Sequence, residues 1–172
     1  GVLLAYGKEN ISAARASEIL FQTLKFGNLE AEQLAPNLGK ILPVASALGI
    51  SMEQVGAGIA QISLSGADAG ESITYLKSIL AAFSKATPQA EAVLKELDLT
   101  MADVRDMASK DLAGAIQFLN TKLGGNVEKI NDLLGRQEAV TGWFSLVGRN
   151  AEHYGEVIQG VSADTHDFDT AR

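Results

Sequence analysis

Cysteine is absent from the 172 residues, which excludes disulfides, thiolate metal sites and cysteine nucleophiles together. Histidine is scarce: only His153 and His166 are present, and neither has a spaced set of partners for acid–base or metal chemistry. Cations are in the minority. Lys and Arg number 14 against 21 Asp and Glu, for a net charge of −7. That balance argues against a nucleic-acid binder whose affinity rests on clustered basic residues. No run of about 18 apolar residues occurs, so a membrane-spanning helix is not expected. The longest uncharged stretch, 54–67, is interrupted by Gln61, Ser63 and Ser65. Alternation of apolar and polar residues, the mark of a half-buried strand, is nowhere sustained. The apolar opening Gly1–Tyr6 has no basic stretch before it and is too short for a secretory leader. It reads as the end of a helix continuing from a longer parent chain.

What is present is helical spacing. Apolar residues make up 47% of the chain and charged residues 20%, close to a globular average, so a packed core is expected. Leu34, Leu38, Ile41, Ala45 and Leu48 follow steps of three and four. So do Met52, Val55, Ile59 and Ile62, then Ile73, Leu76, Leu80 and Phe83, then Leu112, Ile116, Leu119 and Leu123. Such steps lay one apolar stripe along a helix. Start signals separate the stripes. Ser51 with Gln54 and Asp68 with Glu71 read as capping boxes. Thr87-Pro88 sets an N-cap before proline, and Thr100 with Asp103, Asn126 and Asn150 are further starts. Gly27, Gly49, Gly66, Gly124, Gly125, Gly135 and Gly148 stand where helices should stop.

The expected architecture is an all-α, compact multi-helix domain. Its helices should lie near 11–26, 30–48, 52–65, 69–85, 88–97, 101–109, 111–123, 126–134 and 137–147, with a tenth near 151–161. Pro36 and Pro43 should kink or split the second. The expected organisation is an N-terminal helix over 1–27, a helical core over 28–161 and a flexible acidic tail or linker over 162–172. One turn repeats: Leu48-Gly49-Ile50-Ser51 resembles Leu97-Asp98-Leu99-Thr100, each ending a helix on Leu and capping the next with a hydroxyl. Two copies fall short of a solenoid.

Few residues suggest chemistry. Asp164, His166, Asp167 and Asp169 match neither a calcium loop nor a zinc pattern and read as a solvated end. His153 with Glu156 lacks the second motif of a di-iron site. Gly56-Ala57-Gly58 follows no strand, so it reads as a small helix face rather than a dinucleotide loop. Leu123-Gly124-Gly125-Asn126 lacks a phosphate-loop lysine and reads as a turn. Ser63 and Ser65 sit in no nucleophile elbow. No catalytic, cofactor-binding or metal residue is therefore assigned, and no cofactor is expected. Phe144 aligns with Val140 and Val147 and should be core. Trp143 then falls on the flank, as core-edge packing or as an anchor facing a partner.

Beyond single motifs, an ordered series resembles the core region of phage tail tape measure proteins. It runs from Gly27-Asn28-Leu29-Glu30-Ala31-Glu32-Gln33-Leu34 through Leu42-Pro43-Val44-Ala45-Ser46-Ala47-Leu48-Gly49-Ile50-Ser51. Ile59-Ala60-Gln61-Ile62, Ser65-Gly66-Ala67-Asp68 and Leu76-Lys77-Ser78-Ile79-Leu80 follow, then Thr87-Pro88 and Leu94-Lys95-Glu96-Leu97. Leu133-Leu134-Gly135 resembles the family's Leu-Phe-Gly element with Leu134 in the aromatic position, and Asp98 stands where the family usually has glycine. The similarity spans about residues 10–161.

The resemblance implies a non-enzymatic structural module of a phage or prophage tail, acting in tail assembly, tail-length determination and DNA ejection. It implies a place in the lumen of the tail tube, and the host cytoplasm during assembly. Implied partners are the tail tube protein, tail assembly chaperones, tail-tip or baseplate proteins and further copies of itself, with no specific nucleic acid. The alternative is a membrane-active helical segment assisting DNA passage into the host cell, with 54–67 as its best local candidate. An enzymatic reading, prompted by the separate peptidoglycan hydrolase domains that some tape measure proteins carry, finds no matching constellation here.

Overall fold

The computed structural model describes residues 12–147 and 151–163. The expected cap Asn150, the stop Gly148 and the acidic cluster 164–169 lie outside the described residues. Within them the chain is all-α, with eleven helices: α1 (Ala13–Gly27), α2 (Ala31–Leu38), α3 (Leu42–Ala47), α4 (Met52–Leu64), α5 (Ala69–Ser84), α6 (Pro88–Glu96), α7 (Met101–Lys110), α8 (Leu112–Lys122), α9 (Val127–Leu134), α10 (Gln137–Leu146) and α11 (Ala151–Ser162).

Local chemistry sets these borders. Ser12, Ser51, Asp68, Thr87, Thr100, Asp111 and Asn126 each accept a hydrogen bond from a first-turn amide. Both halves of a capping box form at Asp68–Glu71 and at Thr100–Asp103. At Ser51 only one half forms. The hydroxyl accepts from Gln54 N at 3.2 Å, but Gln54 Oε1 is buried without a partner. The prolines split the second expected helix into α2 and α3: Pro36 lies in the last turn of α2 and Pro43 in the first turn of α3.

Gly49, Gly66, Gly124, Gly125 and Gly135 adopt positive φ, as expected of stop residues. Gly27 does not. It is the last residue of α1, and the left-handed residue is Asn28, at φ 53°. Gly27 is small for another reason: a Cβ there would stand 2.8 Å from Ser63 Oγ and 3.0 Å from Ala60 Cα.

The repeated turn has one geometry in both places. Gly49 (φ 73°) and Asp98 (φ 57°) are left-handed. The following Ile50 and Leu99 donate their N–H back to Ala45 O at 2.9 Å and Leu94 O at 3.0 Å. Asp98 therefore carries a strain of about 1 kcal/mol that glycine would avoid.

The core is built around α4 and α5. Eight of the nine consecutive residues Val55–Ser63 are buried, as befits a helix surrounded on all sides. α4 packs on α1, α11 and α5, and α5 packs most extensively on α10, with α2 also against it. The pairs α6–α9 and α7–α8 complete the structure. Ile19 of α1 and Val157 of α11 are fully buried, so these outer helices share the one core. Arg105 of α7 donates to Phe83 O at 3.1 Å and so satisfies a carbonyl near the end of α5.

Candidate functional site

The sequence-selected residues separate into packing positions and surface positions. Gly56, Ala57, Gly58 and Ala60 are buried on α4. A Cβ on Gly56 would overlap Thr23 Oγ1 of α1 and lie 3.3 Å from Val161 Cγ1 of α11. One on Gly58 would lie 2.9 Å from Leu76 Cδ2 of α5. The small face thus admits three neighbouring helices at close range, a packing role. Ser63 Oγ sits 2.8 Å from Gly27 O and 2.7 Å from Ala60 O, and Ser65 Oγ donates to Ile62 O at 2.6 Å. Both hydroxyls serve the backbone and neither contacts a histidine.

His153 is at the surface, with Nδ1 3.4 Å from Glu156 Oε2. Among the described residues, no group of three or more His, Asp or Glu side chains is placed to hold a metal ion. Likewise no described helix is long and apolar enough to cross a membrane. In the stretch 54–67, Val55, Ile59 and Ile62 are buried in the core and Leu64 is exposed.

Trp143 and Phe144 are placed the other way round from the sequence expectation. Trp143 is fully buried, and its Nε1 donates to Asn120 Oδ1 of α8 at 3.1 Å. Phe144 is 36% exposed. The reason is where α10 ends. Val147 has extended backbone (φ −116°, ψ −179°), so it does not prolong the helical stripe that Phe144 was aligned to. The inward face of α10 is Ala139, Val140, Gly142, Trp143 and Leu146. Gly142 lets this face approach α5, since a Cβ there would stand 2.9 Å from Tyr75 Cβ. The indole therefore offers a partner no surface in this fold.

One buried polar group has no signature in the sequence. Tyr154 of α11 is fully buried, and its hydroxyl has no hydrogen-bond partner among the described residues. Burial first, and the charge of Asp111 second, hold the phenol well above its ordinary pKa, so it stays neutral. Nothing in the spacing around Tyr154 marks it, because the stripe Tyr154–Val157–Val161 reads the same for a tyrosine with a wet hydroxyl.

The family model described as "Phage-related minor tail protein" matches residues 1–135. A curated relative, "Probable tape measure protein" of Clostridium phage phiCD119, is 28% identical over 175 residues. The match covers 94% of this chain and 18% of that protein, so the chain spans less than a fifth of the relative's length. No solved structure matches.

Proposed function

Because the chain belongs to the phage-related minor tail protein family, we propose that it is a non-catalytic structural module of a tape measure protein. It acts in tail assembly, tail-length determination and DNA ejection. The observation that carries this reading is the similarity along 94% of the chain to a relative named as a probable tape measure protein. Gly56 and Gly58, the Ser63 and Ser65 hydroxyls and the Trp143 indole are engaged in helix contacts and hydrogen bonds within the fold. On this reading the module lies in the lumen of the tail tube, and in the host cytoplasm during assembly. It meets the tail tube protein, assembly chaperones, tail-tip or baseplate proteins and further copies of itself.

Deleting residues 30–148 in frame from the parent gene tests the proposal, with tail lengths measured by electron microscopy. The deletion removes 119 residues. If they lie extended as helix in the tube, tails shorten by about 180 Å, at about 1.5 Å per residue. A module that stays folded in the tube gives a smaller shortening. Normal-length, infectious tails would overturn the proposal.

A further inference from the structure

Five cationic side chains make no ion pair, hydrogen bond or ring contact to another described residue: Lys40, Lys77, Lys85, Lys95 and Arg136. Three of these five, Lys40, Lys77 and Arg136, line a single hollow of about 170 Å³. The hydroxyl-bearing Thr74 and Ser78 line it too, and no carboxylate does. In a chain of net charge −7 this is a local reversal of sign.

The three cations come from separate elements. Lys40 follows α2, Lys77 is on α5, and Arg136 is the N-cap of α10. Thr74, Lys77 and Ser78 stand at i, i+3 and i+4, so they share a face of α5. The nearest acid on α5, Glu71, is turned away: its Oε1 accepts from Asp68 N at 3.1 Å. Like charges gathered without a counter-ion repel, and a bound anion removes that repulsion.

We infer that this hollow binds a phosphate group. It is smaller than the roughly 300–1,000 Å³ typical of organic-ligand pockets, which suits a small oxyanion. Arg136 supplies a planar fork that matches phosphate oxygens, the lysines supply point charges and the hydroxyls supply donors. No side chain caps the start of α10, and the one acid of its first turn, Glu138, does not line the hollow. The phosphate comes either as the free ion or as the phosphodiester of a nucleic-acid backbone. The inference goes beyond the structural role proposed above and does not rest on it.

The test is an NMR titration of the isotope-labelled 172-residue chain with inorganic phosphate at constant ionic strength. Saturable amide shifts are expected at Lys40, Thr74, Lys77, Ser78 and Arg136. Lys77→Gln and Arg136→Gln should each weaken binding about tenfold, a typical effect for losing a charge-assisted contact. Lys85→Gln, at an exposed site outside the hollow, should leave it unchanged. All three side chains are exposed, so the variants should keep the wild-type helical spectrum. Competition with a short single-stranded oligodeoxynucleotide then separates the two sources. Displacement of phosphate assigns the hollow to a nucleic-acid backbone, and no displacement assigns it to the free ion. Absence of saturable shifts, or equal shifts with sodium chloride, would overturn the inference. So would an effect of Lys85→Gln equal to that of Lys77→Gln. A glutamate-rich peptide that binds where phosphate does not would also overturn it, in favour of an acidic protein partner. The tail-length experiment reads none of these, so either idea can fail alone.

Discussion

Trp143→Ala is expected to cost about 3–5 kcal/mol of folding stability, the range for removing a large aromatic from a packed core. The indole is fully enclosed on the inward face of α10, and its one polar atom is satisfied by Asn120 of α8. Alanine removes the ring, leaves a cavity that the helices can only partly close, and strips Asn120 of its donor. For a domain of this size each kcal/mol shifts Tm by about 2–4 °C, so Tm should fall by about 6–20 °C. Thermal unfolding by circular dichroism measures this without needing the tryptophan. Trp143→Phe keeps an aromatic body and should fall between the two. An alanine variant melting with the wild type would mean that the indole is not enclosed. By contrast Phe144→Ala, at a part-exposed site, should cost much less.

Gly56→Val should destabilise by about 2–3 kcal/mol, the upper part of the usual range for overpacking. The new Cβ overlaps Thr23 Oγ1, and that hydroxyl is not free to swing away because it donates to Ile19 O at 2.8 Å. Val161 Cγ1 at 3.3 Å and Ile19 Cγ2 at 3.5 Å close the other sides. A better helix propensity than glycine's returns only a few tenths of a kcal/mol. Gly39→Ala is the matching control. Gly39 has right-handed backbone (φ −59°) and nothing within 4 Å of a Cβ, so alanine should stabilise by about 0.4–1 kcal/mol. Urea denaturation followed by fluorescence of Trp143, the sole tryptophan, compares the three proteins. Equal midpoints for Gly56→Val and wild type would place α4 away from α1.

These two sites also show how far the residues can be read without coordinates. Helix borders are legible because they are local. A cap such as Thr87 before Pro88 depends on the next three residues alone, and its hydroxyl accepts from Ala90 N as its position implies. The small face of α4 is legible as packing because glycine in a helix interior is costly unless something needs the room. What stays hidden is tertiary. Trp143 and Phe144 differ by one step on the helix, so their placement turns on which face α10 sets against its neighbours, and a stripe counted through Val147, outside the helix, selects the wrong one. Gly27 and Asn28 trade roles for a similar reason, since only the contact with Ala60 and Ser63 tells a close approach from a turn. The basic hollow draws single cations from three elements, and no window of sequence contains them.

The name of the Clostridium phage relative suggests a ruler, yet the helices here are only 6–16 residues long and pack on one another. This tail-protein segment is expected to fold by itself as a packed module. Small-angle X-ray scattering of the 172-residue chain tests it most directly. The packed fold predicts a radius of gyration of about 16 Å. A continuous helix of the same length would be about 260 Å long, with a radius of gyration of about 75 Å. A value near the first supports the account, and a value near the second contradicts it.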